Sequence, residues 1–339
     1  MEKIKLCGLS LNDLCRNLQI PGFSVNHALK VTNSLYKKGI ESFDLIPGIP
    51  SKIKKELGNI AVTGTFAPAK TEVSADGTMK FLFGSEGKKY ETVYMPDEKR
   101  HTVCVSSQSG CRMGCPVCVT GKYGFHGNLS AGEIVNQVLS IPDSQRLTHV
   151  VFMGMGEPMD NIDNVLKACE ILTAEWGRAI GKKNITVSSV GITDGIRRFL
   201  NESDCNLAVS LFSPFPEERS GIVPVERKYP VAEIARIMNE FSAAGKRRLT
   251  FTYVMIRGLN DTGRHLEGLK ELVRGTGIRI NLLPYHRVPH DAYSPSSAER
   301  MSYFRHELMM SGISASVRRS RGDDISAACG LLASGLKNI

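Results

Sequence analysis

Three cysteines, Cys111, Cys115 and Cys118, stand in the run CRMGCPVC. The CxxxCxxC spacing puts three thiols on one short loop. Three thiolates can hold three irons of a 4Fe–4S cube and leave the fourth iron without a protein ligand. Clusters that only carry electrons normally have four cysteine ligands. An open iron can instead bind a small molecule, so that a cofactor does the hard chemistry and the protein positions it. The competing reading is structural zinc, which wants four ligands. No second CxxC pair exists, but His126, eight residues after Cys118, could complete a Cys3His set.

Other residues gain meaning only beside that loop. In Gly154-Met155-Gly156-Glu157-Pro158, glycines let the backbone approach a ligand closely and a carboxylate can receive an ammonium group. Alone, the run would read as an ordinary glycine turn. Cys104 lies just ahead of the cysteine loop and Cys329 sits in RGDDISAACG near the C-terminus. A lone cysteine is more often a small buried residue than a reactive one, and Cys7, Cys15, Cys169 and Cys205 are read that way. Glu91, in YETVYMP, carries no signal by itself. Nine cysteines in 339 residues fit ligands, reactive thiols and core residues of a reducing compartment, not a disulfide framework.

The net charge is +9, which suits a polyanionic partner or solubility alone. Short basic clusters recur at Lys37-Lys38, Lys182-Lys183, Arg197-Arg198, Lys246-Arg247-Arg248 and Arg318-Arg319 with Arg321. No apolar run is long enough to span a bilayer, and the N-terminus resembles no secretory signal. The chain therefore reads as cytoplasmic and not membrane-bound.

The elements that must position these residues alternate. Residues 1–70 read as short helices, one capped by Ser24 and stopped by Gly39, another running from Ser51 to near Gly58. Met79–Phe83 and Lys89–Met95 form a small antiparallel extension within 71–98. Strand and helix then alternate over 99–325, with strands expected at Thr102–Ser107, His149–Met153, Asn184–Ser188, Asn206–Phe212, Leu249–Ile256 and Arg279–Leu283. Helices are expected at Asn161–Trp176, Val231–Phe241 and Ala298–Met310, and a late strand at Ser314–Arg319. Such alternation predicts an α/β fold with a parallel sheet. Six units make a partial (β/α)6 barrel with its chemistry at the C-terminal ends of the strands, where the cysteine loop falls. Residues 326–339 form a C-terminal segment.

Taken together, CRMGCPVC and GMGEP resemble the radical S-adenosylmethionine (SAM) superfamily. ETVYMP, CVSSQSGC, FMGMGEP, TVSSVG, PEERSGIVPV, NLLPY and RGDDISAACG follow in order. They make the whole chain similar to the RlmN/Cfr-type RNA methyltransferases, which methylate an adenine carbon. The resemblance implies a radical SAM barrel with a helical accessory domain that grips RNA. It implies a 4Fe–4S cluster on Cys111, Cys115 and Cys118 whose open iron takes SAM. Gly156, Glu157, Ser188, Ser210, Leu211, Phe212 and Asn281 match the family's SAM contacts.

By the same resemblance Cys329 is the methyl carrier. Its thiolate attacks the methyl of a first SAM, since thiolate is the nucleophile such a step needs. A 5′-deoxyadenosyl radical from a second SAM removes hydrogen from the S-methyl group, and the carbon radical adds to adenine. An adenine C–H carbon is not nucleophilic, which is why direct attack on SAM would fail. Cys104 matches the cysteine that resolves the adduct by disulfide formation, and Glu91 a proton acceptor or adenine contact. The implied substrate is 23S rRNA, with tRNA as a second one. A flavodoxin-type electron donor and a monomeric enzyme are implied too. Two departures stand out: Val117 replaces an aromatic before the third cysteine, and Phe212 replaces a histidine. GMGEP is nearer the housekeeping branch, which favours carbon 2 of adenine; carbon 8 is the alternative.

Overall fold

Alternation of side chains along each strand decides the architecture. The computed structural model describes residues 3–242, 245, 247–288 and 292–333; Lys246 of the basic clusters and the last six residues of the C-terminal segment lie outside them. One sheet has ten strands: β1 (Lys70–Val73), β2 (Met79–Ser85), β3 (Lys88–Met95), β4 (Thr102–Cys104), β5 (His149–Phe152), β6 (Ile185–Ser189), β7 (Asn206–Ser210), β8 (Leu249–Met255), β9 (Arg279–Pro284) and β10 (Ala315–Val317). They lie side by side in chain order. β1 to β4 pair antiparallel, and β4 to β10 pair parallel. The order starts at β1 and ends at β10, so the sheet is an open trough rather than a closed barrel. The six expected units are present, and the late strand joins them as a seventh parallel strand.

One face of the trough is apolar. Ile185 and Val187, Leu207 and Val209, Phe251 and Tyr253, Ile280 and Leu282 alternate along β6 to β9, each fully buried. They sit in the core covered by helices that include Ile162–Thr173, Val231–Ser242 and Ala298–Met310. Burying such a side chain contributes roughly 1.5–3 kcal/mol. The residues between them face inward and are largely polar: Thr186 and Ser188, Asn206 and Ser210, Thr250 and Thr252, Asn281. Parallel strands covered on both sides are usually apolar throughout. Here the second face lines cavities instead of a packed interior.

The extension has a third strand that the sequence does not advertise. β1 reads KTEV and is mostly exposed, so it lacks an apolar alternation; Asp76-Gly77 turns it into β2. The helix capped by Ser24 spans Val25–Thr32, with Ser24 and His27 forming a capping box. It continues as one wider turn, Asn33–Lys37, and ends at Gly39 with φ +64°. This N-terminal layer docks on the helix Ala131–Leu139. Phe66 N donates to Asn136 Oδ1 at 2.9 Å, and Asn136 Nδ2 donates back to Phe66 O at 3.0 Å.

Candidate active site

The cysteine loop is stapled at its base. Gln108–Gly110 pairs antiparallel with Phe125–Asn128, and Cys111 N donates to Gly124 O at 2.8 Å. Gly110 is required there, because a Cβ would lie 1.7 Å from Gly124 O. Cys111, Cys115 and Cys118 all line one cavity of about 180 Å³. Burial pushes the Cys111 thiol up to about 12 and Cys115 higher still, and neighbouring thiolates raise each further. Three thiolates are tenable here only around a strongly cationic centre, which is what a cluster of irons provides. Among the described residues no three His, Cys, Asp or Glu side chains converge on a single ion. His126, the candidate zinc ligand, turns its Nε2 to Tyr123 O at 3.3 Å.

The glycine-rich run after β5 forms part of the same wall. Its glycines line the cysteine cavity, and packing within the protein itself also demands them. A Cβ on Gly154 would lie 2.7 Å from Ser106 Oγ and 2.8 Å from Val105 O. One on Gly156, at φ +96°, would lie 2.5 Å from Gln108 Cβ. The run is pressed against the chain entering the cysteine loop. Ser106 Oγ accepts from Met155 N at 2.8 Å and donates to Glu91 O at 2.5 Å. Glu157 is buried on the cavity wall; it accepts from Met159 N at 3.0 Å and Val190 N at 2.8 Å. Burial outweighs these bonds and raises its pKa to about 7. A cationic group entering the cavity would lower it again.

Ser188, Ser210 and Phe212 line the cysteine cavity. Leu211 is fully buried; its N–H donates to Thr252 O at 2.9 Å and its carbonyl accepts from Arg219 Nε at 2.9 Å. Phe212 stands at φ +60°, a conformation costing about 1–3 kcal/mol for a non-glycine residue, with its carbonyl held by Asn260 Nδ2 at 2.7 Å. Val117 also faces this cavity. Asn281 does not: it lines a second, adjoining cavity of about 460 Å³, and accepts from Ser316 Oγ at 2.6 Å.

Cys329 lies on the wall of both cavities, and Cys104 on the wall of the second. Burial pushes the Cys104 thiol up to about 12, and the Cys329 thiolate adds to the shift. The C-terminal segment is moored to the cysteine loop and to β3. Val119 N donates to Gly330 O at 2.8 Å and Thr120 Oγ1 to Leu332 O at 3.0 Å. Ala333 N donates to Glu91 Oε2 at 2.7 Å. The other Glu91 oxygen lies 3.5 Å from Lys80 Nζ. Glu91 is thus buried and engaged, and does not line either cavity.

Two residues emerge that the sequence reading passed over. Arg219 is fully buried and pairs with Glu226. It donates to Leu211 O at 2.9 Å, Val190 O at 2.5 Å and Ser210 O at 3.1 Å, which ties together the ends of β6 and β7. An arginine in a helix reading PEERSG gives no sign of burial. Thr252 Oγ1 is buried on the cysteine cavity without a hydrogen-bond partner; the alternation of LTFTYVM was its only signal.

Residues 105–272 match the Radical SAM superfamily. The chain is 43% identical over 334 residues to the "Probable dual-specificity RNA methyltransferase RlmN" of Phocaeicola vulgatus, covering 97% of this chain and 95% of that protein. It is 36% identical over 337 residues to the "Dual-specificity RNA methyltransferase RlmN" of Syntrophobacter fumaroxidans, covering 98% of each. Among solved structures it is similar to a radical SAM methyltransferase from Sphaerobacter thermophilus. The TM-score is 0.90 at 37% identity, over 97% of this chain and 99% of that one.

Proposed function

The chain belongs to the RlmN family of radical SAM RNA methyltransferases, and we propose that within it this protein methylates carbon 2 of an adenine in 23S rRNA and in tRNA, with Cys329 as methyl carrier. The observation that carries the reading is Cys329 on the shared wall of two cavities. One holds Cys111, Cys115 and Cys118; the other holds Cys104.

A 4Fe–4S cluster on Cys111, Cys115 and Cys118, with SAM at its open iron, would supply the radical chemistry. Glu157 and Gly156, with Ser188, Ser210 and the backbone of Leu211 and Phe212, orient SAM in the smaller cavity. Arg219 holds the carbonyls of that wall in place. The Cys329 thiolate accepts a methyl group from one SAM, and a second SAM is consumed in each turnover. The target base enters the larger cavity unstacked, as an enzyme acting on a base edge requires, with Asn281 on its wall. Cys104 faces that base; its thiolate attacks the Cys329 sulfur and releases the methylated adenine as a disulfide forms. If Cys104 also takes the proton from the adduct's ring carbon, that proton passes on to the methylene carbon as it leaves sulfur and becomes the methyl group, which returns Cys104 to the thiolate that forms the disulfide. Glu91 anchors the carrier segment. The family implies a flavodoxin-type reductant, a cytoplasmic setting and action as a monomer. The unit boundaries in this reading are 1–70, 71–98, 99–325 and 326–339.

The test is nucleoside mass spectrometry of rRNA and tRNA from cells lacking the gene, after treatment with anaerobically reconstituted enzyme. The expected product is 2-methyladenosine, absent with Cys329→Ala. Formation of 8-methyladenosine alone, or full turnover by Cys329→Ala, overturns the reading.

A further inference from the structure

The larger cavity is unusually basic. Six arginines line it, Arg100, Arg248, Arg279, Arg318, Arg319 and Arg321, against the single acid Asp97. Arg321 pairs with that acid at 3.2 Å. Among the described residues the other five make no ion pair. Elsewhere some arginines are matched, as in Arg219–Glu226, Arg198–Asp163 and Arg112–Asp160, and others are not, but among the described residues the cysteine cavity gathers none of them on its wall. Burial and the facing charges of Arg318 and Arg248 lower the pKa of Arg100, and burial with Arg100 and Arg248 does the same to His149. Six like charges gathered round a cavity with one acid favour an anionic occupant.

The sheet register fixes where these arginines stand. Cys104 is level with Val151, Val151 with Thr186 and Thr186 with Asn206. Leu207 N then donates to Arg248 O at 3.1 Å, and Leu207 pairs with Leu249, which brings Arg248 onto the same row as Asn206. Arg279 pairs with Thr250, one inward step further along β8. Arg100 precedes β4 and Arg248 precedes β8, so both stand at the N-terminal edge of their strands, away from the cysteine loop. Four strand spacings of about 4.8 Å separate β4 from β8, or roughly 19 Å along the sheet. Curvature and the length of an arginine side chain shorten that gap across the trough.

We propose that Arg100, Arg248 and Arg279 form a phosphate subsite that binds the RNA backbone flanking the target base. This rests on the RNA reading above. The occupant is an RNA strand because the arginines share one cavity with Cys104 and Cys329 and continue along the rim through Arg318 and Arg319, further than one small anion extends. Arginine forks suit phosphate oxygens, and single-stranded RNA is held by such backbone contacts while its base is splayed out.

The test uses the reconstituted holoenzyme and an RNA hairpin carrying the target adenine. Affinity is measured across a KCl series for wild type and for the double variant Arg248→Gln, Arg279→Gln. Each lost phosphate contact should lower the slope of log K against log[KCl] by about 0.7, so the double variant should lose about 1.4. Methylation of Cys329 by SAM without RNA should stay at the wild-type rate, which shows an intact fold. The double variant Arg248→Lys, Arg279→Lys should recover the slope. A charge-matched control on the outer helices, Arg236→Gln with Arg305→Gln, should leave it unchanged. An unchanged slope in the Gln pair, whether or not inorganic phosphate binds there, overturns the subsite, as does an equal loss in the control. Wild-type enzyme that binds RNA with the arginine-dependent slope but methylates none would instead sink the functional reading and leave the subsite standing.

Discussion

Gly154→Ala isolates what the glycine-rich run is for. Gly154 has no positive φ, so alanine meets no backbone strain and the whole cost is overlap. Its Cβ would lie 2.7 Å from Ser106 Oγ and 2.8 Å from Val105 O, whereas ordinary contact begins at 3.4 Å. The two strands' ends must part by about 0.6–0.7 Å, the difference of those distances. Overpacking on that scale costs about 1–3 kcal/mol. It also strains the bonds Gly154 N to Val105 O, at 3.1 Å, and Met155 N to Ser106 Oγ, at 2.8 Å. For a chain of this size, 1–3 kcal/mol lowers the melting temperature by about 1.5–4 °C. The same shift carries Glu157 away from the cysteine loop. Misplacement approaching 1 Å costs about 100-fold in rate, so Cys329 methylation should slow by about 10- to 100-fold. Calorimetry of the unloaded protein and mass spectrometry of Cys329 after exposure to SAM read the two effects. A variant that melts within about 0.5 °C of wild type, below the expected range of about 1.5–4 °C, and methylates at the same rate would refute the close approach.

Three further outcomes follow from burial and charge. Glu157 has its folded pKa raised to about 7 from 4.5; the folded state then binds more protons between those values, so stability falls as pH rises from about 4.5 to 7. The decline amounts to about 3 kcal/mol in protein free of cofactor, and urea melts of Glu157→Gln should lack that slope. Arg219→Met leaves Glu226 buried and unpaired, and should cost about 3–5 kcal/mol by thermal melts, with SAM affinity recovered in part by Arg219→Lys. Cys104, held near 12 against about 8.5 for a free thiol, should react with iodoacetamide roughly a thousand-fold more slowly than a free thiol, by peptide mapping. Labelling within about tenfold of a free thiol would show that burial does not govern it.

Much of the trough was legible because its strands alternate. ITVSS and NLAVS place apolar side chains outward and polar ones inward, and both strands lie within one residue of the expected starts. Ala298–Met310 matches its expected span because Ser297 caps it by accepting from Arg300 N. Elements without such patterns were missed. β1 is a surface strand of charged and polar residues. The strands flanking the cysteine loop, QSG and FHGN, are shaped by glycines and by the staple rather than by propensity. At the site, cysteine spacing located the loop, and order along the chain gathered Glu157, Ser188 and Ser210 around it. Asn281 could not be assigned to a cavity from sequence, because sheet register decides its level. The arginines of the larger cavity are scattered over 222 positions, from Arg100 to Arg321, and only the register brings them together.

The mooring of the C-terminal segment has a further consequence. Gly330 and Leu332 hang from Val119 and Thr120, the two residues that follow Cys118 directly. Any disorder in the metal-holding turn is therefore passed to Cys329 within one hydrogen bond. On the proposed reaction, a protein that has not assembled its inorganic centre would also present its acceptor sulfur poorly, and so would waste little methyl donor before it is competent to finish the reaction.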